Sequence, residues 1–158
     1  MKERVGGILV DNNLMFIHLS SGIDSPDWAG TVLSKFAARN ICIGFISATS
    51  SIGDEGQAMM SVTVKPDDEY NLDQAVQAVQ ELHQNLKVTK TYPVSLLTVY
   101  GPHFRERCGL AARAFRALGL NGVNILGIST SISSISSVVR QDQLEIARQA
   151  LDTVFEVP

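Results

Sequence analysis

Two stretches of this chain have the residue types and spacing to hold a small charged ligand: Ser25-Pro26-Asp27-Trp28-Ala29-Gly30, and Pro102 to Gly109. Each lies between a strand-like and a helix-like segment. The N-terminus of a helix exposes N–H groups that have no intrahelical partner and carries a partial positive charge, so such a turn suits a carboxylate. A free amino acid needs donors for its carboxylate and oxygen acceptors for its ammonium. These turns, facing a neighbouring strand, offer the first half; an ordinary helix cap has the same composition. A third stretch, Ser129-Thr130-Ser131-Ile132-Ser133-Ser134-Ile135-Ser136-Ser137, mixes hydroxyls with strand-forming isoleucines. A strand edge of this kind suits a polar ligand or a second subunit, and composition does not choose between them.

Catalytic patterns are missing from the sequence. It has neither a G-x-x-x-x-G-K-[ST] phosphate loop nor a G-x-G-x-x-G after a strand. His18, His83 and His103 are isolated, and Cys42 and Cys108 are far apart, so no metal-ligand spacing arises. His103, in a loop after a strand, is the histidine best placed to meet a ligand. Cys108 precedes a helix, but no paired base is in view to activate it. Asp67-Asp68-Glu69 reads as a solvated helix start, and Asp54-Glu55 as a wet hairpin loop. The expectation is a protein with no catalytic residues, no metal and no cofactor.

Bulk properties narrow the class further. Of 158 residues, 45% are hydrophobic and 18% charged, enough apolar material for a sizeable interior and too much for a disordered tail. A net charge of -3 leaves no basic footprint, which argues against nucleic acid and anionic membrane as partners. No apolar run approaches the roughly 20 residues that span a bilayer, and Met1 to Gly7 has no signal-peptide core. Two cysteines are too few for a disulfide framework; both read as reduced thiols, and the expected location is the cytoplasm.

The elements that would position these turns follow from the hydrophobic period. Leu14 to Leu19 reads as a strand. Trp28, Ala29, Val32, Leu33, Phe36 and Ala37 mark one face of a helix, and Ile41, Ile43 and Phe45 alternate as in a strand. Ala58 to Val64 is a further strand. Leu72, Ala75, Val76, Val79, Leu82 and Leu86 mark a second helix, and Lys87 to Tyr92 a fourth strand. After Pro93 the order repeats. Val94 to Tyr100 is a strand; Leu110, Ala111, Ala114, Phe115 and Leu118 line a helix; Asn124 to Ser131 and Ile135 to Arg140 are strands; a closing helix runs from Leu144 to about Phe155. Phe36…Ile43-Gly44-Phe45-Ile46-Ser47 and Phe115…Ile125-Leu126-Gly127-Ile128-Ser129 hold equivalent places, a duplication with a period of roughly 80 residues.

The second copy lacks a fourth strand, since Glu156-Val157-Pro158 is too short to supply one, while Val5 to Val10 before the first copy is strand-like and unassigned. An open sheet edge is a liability that chains tend to cover. The expectation is that the N-terminal segment crosses over to complete the second sheet, so that the first unit, 13–92, is inserted in a second made of 93–158 plus 3–12. The simpler alternative is that Val5 to Val10 begins a long first strand.

Asn124-Ile125-Leu126-Gly127-Ile128-Ser129-Thr130-Ser131, followed by Ile135-Ser136, resembles the signature of the second ACT domain of aspartate kinases. Val94 to Gly101, Gly109 to Leu118 and Leu144 to Phe155 fit the same alignment, and the first copy fits through Gly30 to Asn40 and Ile41 to Ser50. The resemblance implies an α+β fold of two ferredoxin-like βαββαβ ACT units in the inserted arrangement. It also implies a regulatory region without the kinase domain: a fragment, a separate subunit or a free-standing descendant. In that family the paired units bind lysine, threonine or both as feedback inhibitors. By resemblance the effector residues are Ser25, Asp27, Gly30, Ile43 and Gly44 in the first copy and Ser129, Thr130 and Ser131 in the second.

The chain also departs from the family. The aspartate-x-proline-glycine turn is stretched into Asp24 to Gly30. Polar effector-contacting positions fall on Cys42, Gly44 and Ala48, and the glutamate after serine-threonine-serine is Ile132. Loss of that carboxylate removes a partner for an effector's ammonium, which counts against lysine in the usual mode. The expected function is an amino-acid-binding allosteric module working as a homodimer or with a kinase partner. The alternative is a ligand-free dimerisation or partner-binding module.

Overall fold

The computed structural model describes residues 1–50, 57–82, 84–102 and 104–158. The readings of His83, His103, Asp54 and Glu55 lie outside the described residues. In chain order the elements are β1 (Glu3–Arg4), β2 (Gly7–Ile23), α1 (Trp28–Ala37), β3 (Ile43–Ser50), β4 (Gln57–Val64), α2 (Glu69–Gln80), β5 (Lys87–Tyr100), α3 (Leu110–Leu120), β6 (Ile125–Thr130), β7 (Ser134–Arg140), a short 3-10 turn (Gln141–Gln143), α4 (Leu144–Asp152) and β8 (Phe155–Glu156). The chain divides into two compact units, one of residues 14–92 and one of residues 1–13 with 93–158. The mixed α/β fold pairs β2 with β4, β3 with β4, β5 with β7 and β6 with β7 antiparallel, and β1 with β8 in parallel.

In the unit of residues 14–92, β4 lies between β2 and β3, antiparallel to both. Alternation along the strands sends Ile17 and Leu19 of β2 and Ala58, Met60, Val62 and Val64 of β4 into one core. Helix α1 covers it with Trp28, Val32 and Phe36, spaced four apart on one stripe. It ends where Asn40 adopts a left-handed φ of 54°, a conformation asparagine tolerates better than most residues. Helix α2 adds Leu72, Ala75, Val76 and Val79. It starts at Asp68, whose carboxylate accepts the Asn71 N–H at 2.9 Å. The sequence period carries this helix to Leu86, but it stops at Gln80. Leu82 packs on the core and Leu86 is buried, so the apolar spacing outlasts the helix itself.

In the other unit β7 lies between β5 and β6. Leu97, Val99 and Val139 face Ala114 and Leu118 of α3 and Ala147, Ala150 and Leu151 of α4. Glycines in left-handed φ, 89° at Gly109 and 73° at Gly122, bracket α3. Within this unit the first half of β2 neighbours β5, with the Ser95 hydroxyl donating to Asn12 Oδ1 at 2.8 Å.

Gly7 to Ile23 form one continuous strand, and residues 1–13 group with 93–158. The division at Asn13 has a local cause. That residue takes a φ of 56°, and its backbone N–H donates to Gln141 Oε1 at 2.7 Å while its own Oδ1 accepts Gln141 Nε2 at 3.0 Å. At the corresponding passage on β5 stands Pro93, which has no N–H for a ladder.

One expectation is corrected. The closing helix ends at Asp152 instead of near Phe155, and Phe155–Glu156 does form strand, paired in parallel with Glu3–Arg4. The Glu3 N–H donates to Val154 O at 2.8 Å and the Val5 N–H to Glu156 O at 3.0 Å. Burial of Val154 and Phe155 brings the tail to this position.

Candidate functional site

Beside the turn between β2 and α1, the unit of residues 14–92 has an open groove of about 540 Å³. Asp24, Ser25 and Pro26 of the turn form one wall and Trp28 and Ala29 of the first turn of α1 another. The ends of two strands, Ala48-Thr49-Ser50 and Ala58, form the third. The wall at Trp28 is fixed by a close approach: a Cβ on Gly22 would stand 2.4 Å from Trp28 Cζ2, so only glycine lets the indole lie there. Within the turn, the Ser25 hydroxyl donates to Asp27 Oδ1 at 3.0 Å and the Trp28 N–H donates to Ser25 O at 3.1 Å. Asp27 therefore braces the turn from the side and makes no side-chain cap.

Of the residues singled out in the first copy, Ser25 lines the groove and Asp27 bonds to it. Gly30 lies one residue beyond Ala29; a Cβ there would meet nothing within 4 Å, so internal packing does not demand glycine. Ile43 and Gly44 stand at the opposite end of β3 from the groove. Ile43 packs against the core, and Gly44 sits at a register shift between Ile43 and Phe45. Asp24, Trp28, Ala29, Thr49, Ser50 and Ala58 line the groove without having been singled out as effector contacts. The only sequence cues were the stretched turn and the alanine at position 48.

The second-copy residues belong to the other unit, where Ser131 alone of the three has a side-chain contact to another side chain among the described residues. Ser129 on β6 faces Ser136 on β7, whose hydroxyl lies 3.1 Å from Thr98 Oγ1 on β5. Thr130 is exposed beside Ile135. Ser131 closes the β6–β7 hairpin: its N–H donates to Ser134 O at 2.9 Å, and its hydroxyl lies 2.9 Å from that of Ser134. Ile132, at the tip, is 68% exposed.

The two units carry one polar row in the same register. In one, His18, Ser61 and Ser47 lie side by side across β2, β4 and β3, with His18 Nδ1 2.7 Å from Ser61 Oγ. In the other, Thr98, Ser136 and Ser129 lie side by side across β5, β7 and β6. A register shift precedes the row at Ile43/Phe45 in one unit and at Ile125/Gly127 in the other. The duplication read from Ser47 and Ser129 thus extends to strand pairing.

In the strand-to-helix turn of the second copy, the chain fills space with its own side chains. Phe104 packs against Phe155 with ring centroids 6.2 Å apart, and Arg107 Nη1 reaches the buried Glu3 carboxylate at 2.6 Å. Among the described residues, no three His, Cys, Asp or Glu side chains gather to hold a metal, and no helix is long and apolar enough to cross a membrane. Cys42 and Cys108 are exposed and unbridged.

Residues 97–155 match the ACT domain family. An aspartate kinase of Stutzerimonas stutzeri is 26% identical over 153 residues, covering 97% of this chain and 37% of that kinase. Among solved structures, the regulatory subunit of aspartate kinase from Thermus flavus superposes with a TM-score of 0.81 at 24% identity, covering 94% of this chain and 97% of that one. The aspartokinase alpha and beta subunit structure gives 0.77 at 26% identity, again with 94% and 97% coverage. The chain spans little more than a third of the curated kinases it resembles but nearly the whole of a regulatory subunit. Its fold is that of such a subunit.

Proposed function

We propose that this chain is an amino-acid-binding allosteric module of the aspartate kinase type, built from two ACT units. In this reading residues 14–92 form the inserted unit, and residues 1–13 supply the fourth strand of the unit formed by 93–158. The observation that carries the reading is the groove between the Asp24–Ala29 turn and the end of β3, in a fold that superposes on a kinase regulatory subunit. An effector seated there changes function by binding one arrangement of a homodimer, or of a complex with a kinase, more tightly than another. The expected setting is the cytoplasm, in keeping with two unbridged thiols.

A second reading, ligand-free assembly, is favoured by one observation. The hydroxyls of Ser131 and Ser136 already have internal partners, while β3 and β6 occupy the outer positions of the strand order. Outer strands of this kind can pair with a second copy.

Thermal unfolding against each of the twenty amino acids separates the two. A ligand at about 100 times its dissociation constant stabilises the fold by roughly 2.7 kcal/mol, a shift on the order of 5–10 °C for a domain of this size. A shift confined to one or a few amino acids supports the sensor. No shift with any of them supports the assembly module.

A further inference from the structure

Resting on the reading of the groove as an amino-acid site, we infer that its ligand has an uncharged, apolar side chain. The lining is the reason. Among the described residues that line the groove Asp24 is the one charged side chain, and it can pair with the α-ammonium. A lysine bound the same way would bring a second ammonium, and no second carboxylate stands among the described lining residues. Asp27, beside the turn, already accepts the Ser25 hydroxyl, and a desolvated charge without a partner is costly. An acidic side chain would add a negative charge beside Asp24 and the neighbouring Asp27.

Much of the remaining lining is apolar. Trp28, buried against Gly22, and the small side chains of Ala29, Ala48 and Ala58 make up this part of the lining. The groove's volume of about 540 Å³ lies within the range of small-molecule sites, roughly 300–1,000 Å³. Filling this space with a leucine-, methionine- or phenylalanine-sized side chain removes apolar surface from water on both partners. The hydroxyls of Ser25, Thr49 and Ser50 belong to the lining and can meet the ligand's polar end.

Isothermal titration of the full chain with leucine, methionine, phenylalanine, threonine, lysine and aspartate tests the assignment. The expected result is that at least one of the first three binds at least tenfold more tightly than threonine, lysine or aspartate. Ala48→Leu, at an exposed position on β3, should weaken that binding at least tenfold while the unfolding temperature stays within about 2 °C. Asp24→Asn should weaken binding of every amino acid that binds. Tighter binding of lysine, threonine or aspartate overturns the inference and leaves the sensor reading standing. Unchanged affinity in Ala48→Leu overturns the placement in this groove. No binding of any of the six overturns the inference, and no stabilisation by any of the twenty in thermal unfolding overturns the sensor reading with it.

Discussion

The rings of Phe16 and Phe45 stand 6.3 Å apart, centroid to centroid, although their strands are separated by β4. Two strand spacings are about 9.5 Å, so the rings lean toward each other across the residue between them. That residue is Thr63, in register with both. It is fully buried, and its hydroxyl has no hydrogen-bond partner among the described residues. In the other unit the same place is taken by Val138, between Leu96 and Gly127.

A buried hydroxyl without a partner costs roughly 1–3 kcal/mol of desolvation, and valine has nearly the same shape. Thr63→Val is therefore expected to stabilise the fold by about 1 kcal/mol. A higher urea midpoint with an unchanged slope would bear this out. A lower midpoint would mean that the hydroxyl is satisfied by a bound water.

Trp28 is the sole tryptophan in the chain, so intrinsic indole fluorescence reports on one wall of the groove. Gly22→Ala should displace the ring, because its Cβ would stand 2.4 Å from Cζ2 and 3.1 Å from the backbone oxygen of Ala58. The expected outcome is a red-shifted emission and a loss of about 1–3 kcal/mol in stability. Unchanged emission would show that the indole does not rest on Gly22.

Glu3 is only 7% exposed, and its carboxylate is held by Arg107 at 2.6 Å. Removing the guanidinium leaves a charge in a poorly solvated place, but Arg107 itself is largely exposed, so water offsets part of the loss. Arg107→Ala is expected to cost about 1–2 kcal/mol. Hydrogen exchange should quicken at the Glu3 and Val5 amides, which hold the chain end to β8. Glu3→Gln should cost less, since it removes the charge and keeps hydrogen-bonding capacity. Equal costs for the two variants would argue that packing, and not charge, holds this corner.

Much of this architecture is legible in the sequence because it is written in local period. Trp28, Val32 and Phe36 repeat every four residues and α1 forms over them; Ser47 and Ser129 occupy matching places and prove to share a register. What depends on distant pairing is not legible. Phe155–Glu156 is a two-residue strand whose partner lies at the other end of the chain, and nothing periodic marks it. The groove is half legible for the same reason. The turn at Ser25 has a recognisable composition. Ala48 and Ala58, by contrast, matter through the space they leave, which shows only once β3 and β4 are aligned. The resemblance pointed to Ile43 and Gly44, on the correct strand but at its opposite end from the groove.

The most direct test of an effector site in the unit of residues 14–92 is a two-dimensional amide NMR spectrum of the whole chain, recorded with and without a millimolar mixture of the twenty amino acids. The account predicts shifts concentrated at Asp24 to Ala29 and at Ala48 to Ser50, with the β6–β7 hairpin unmoved. Shifts centred on Ser129 to Ser134, or an unchanged spectrum, would contradict it.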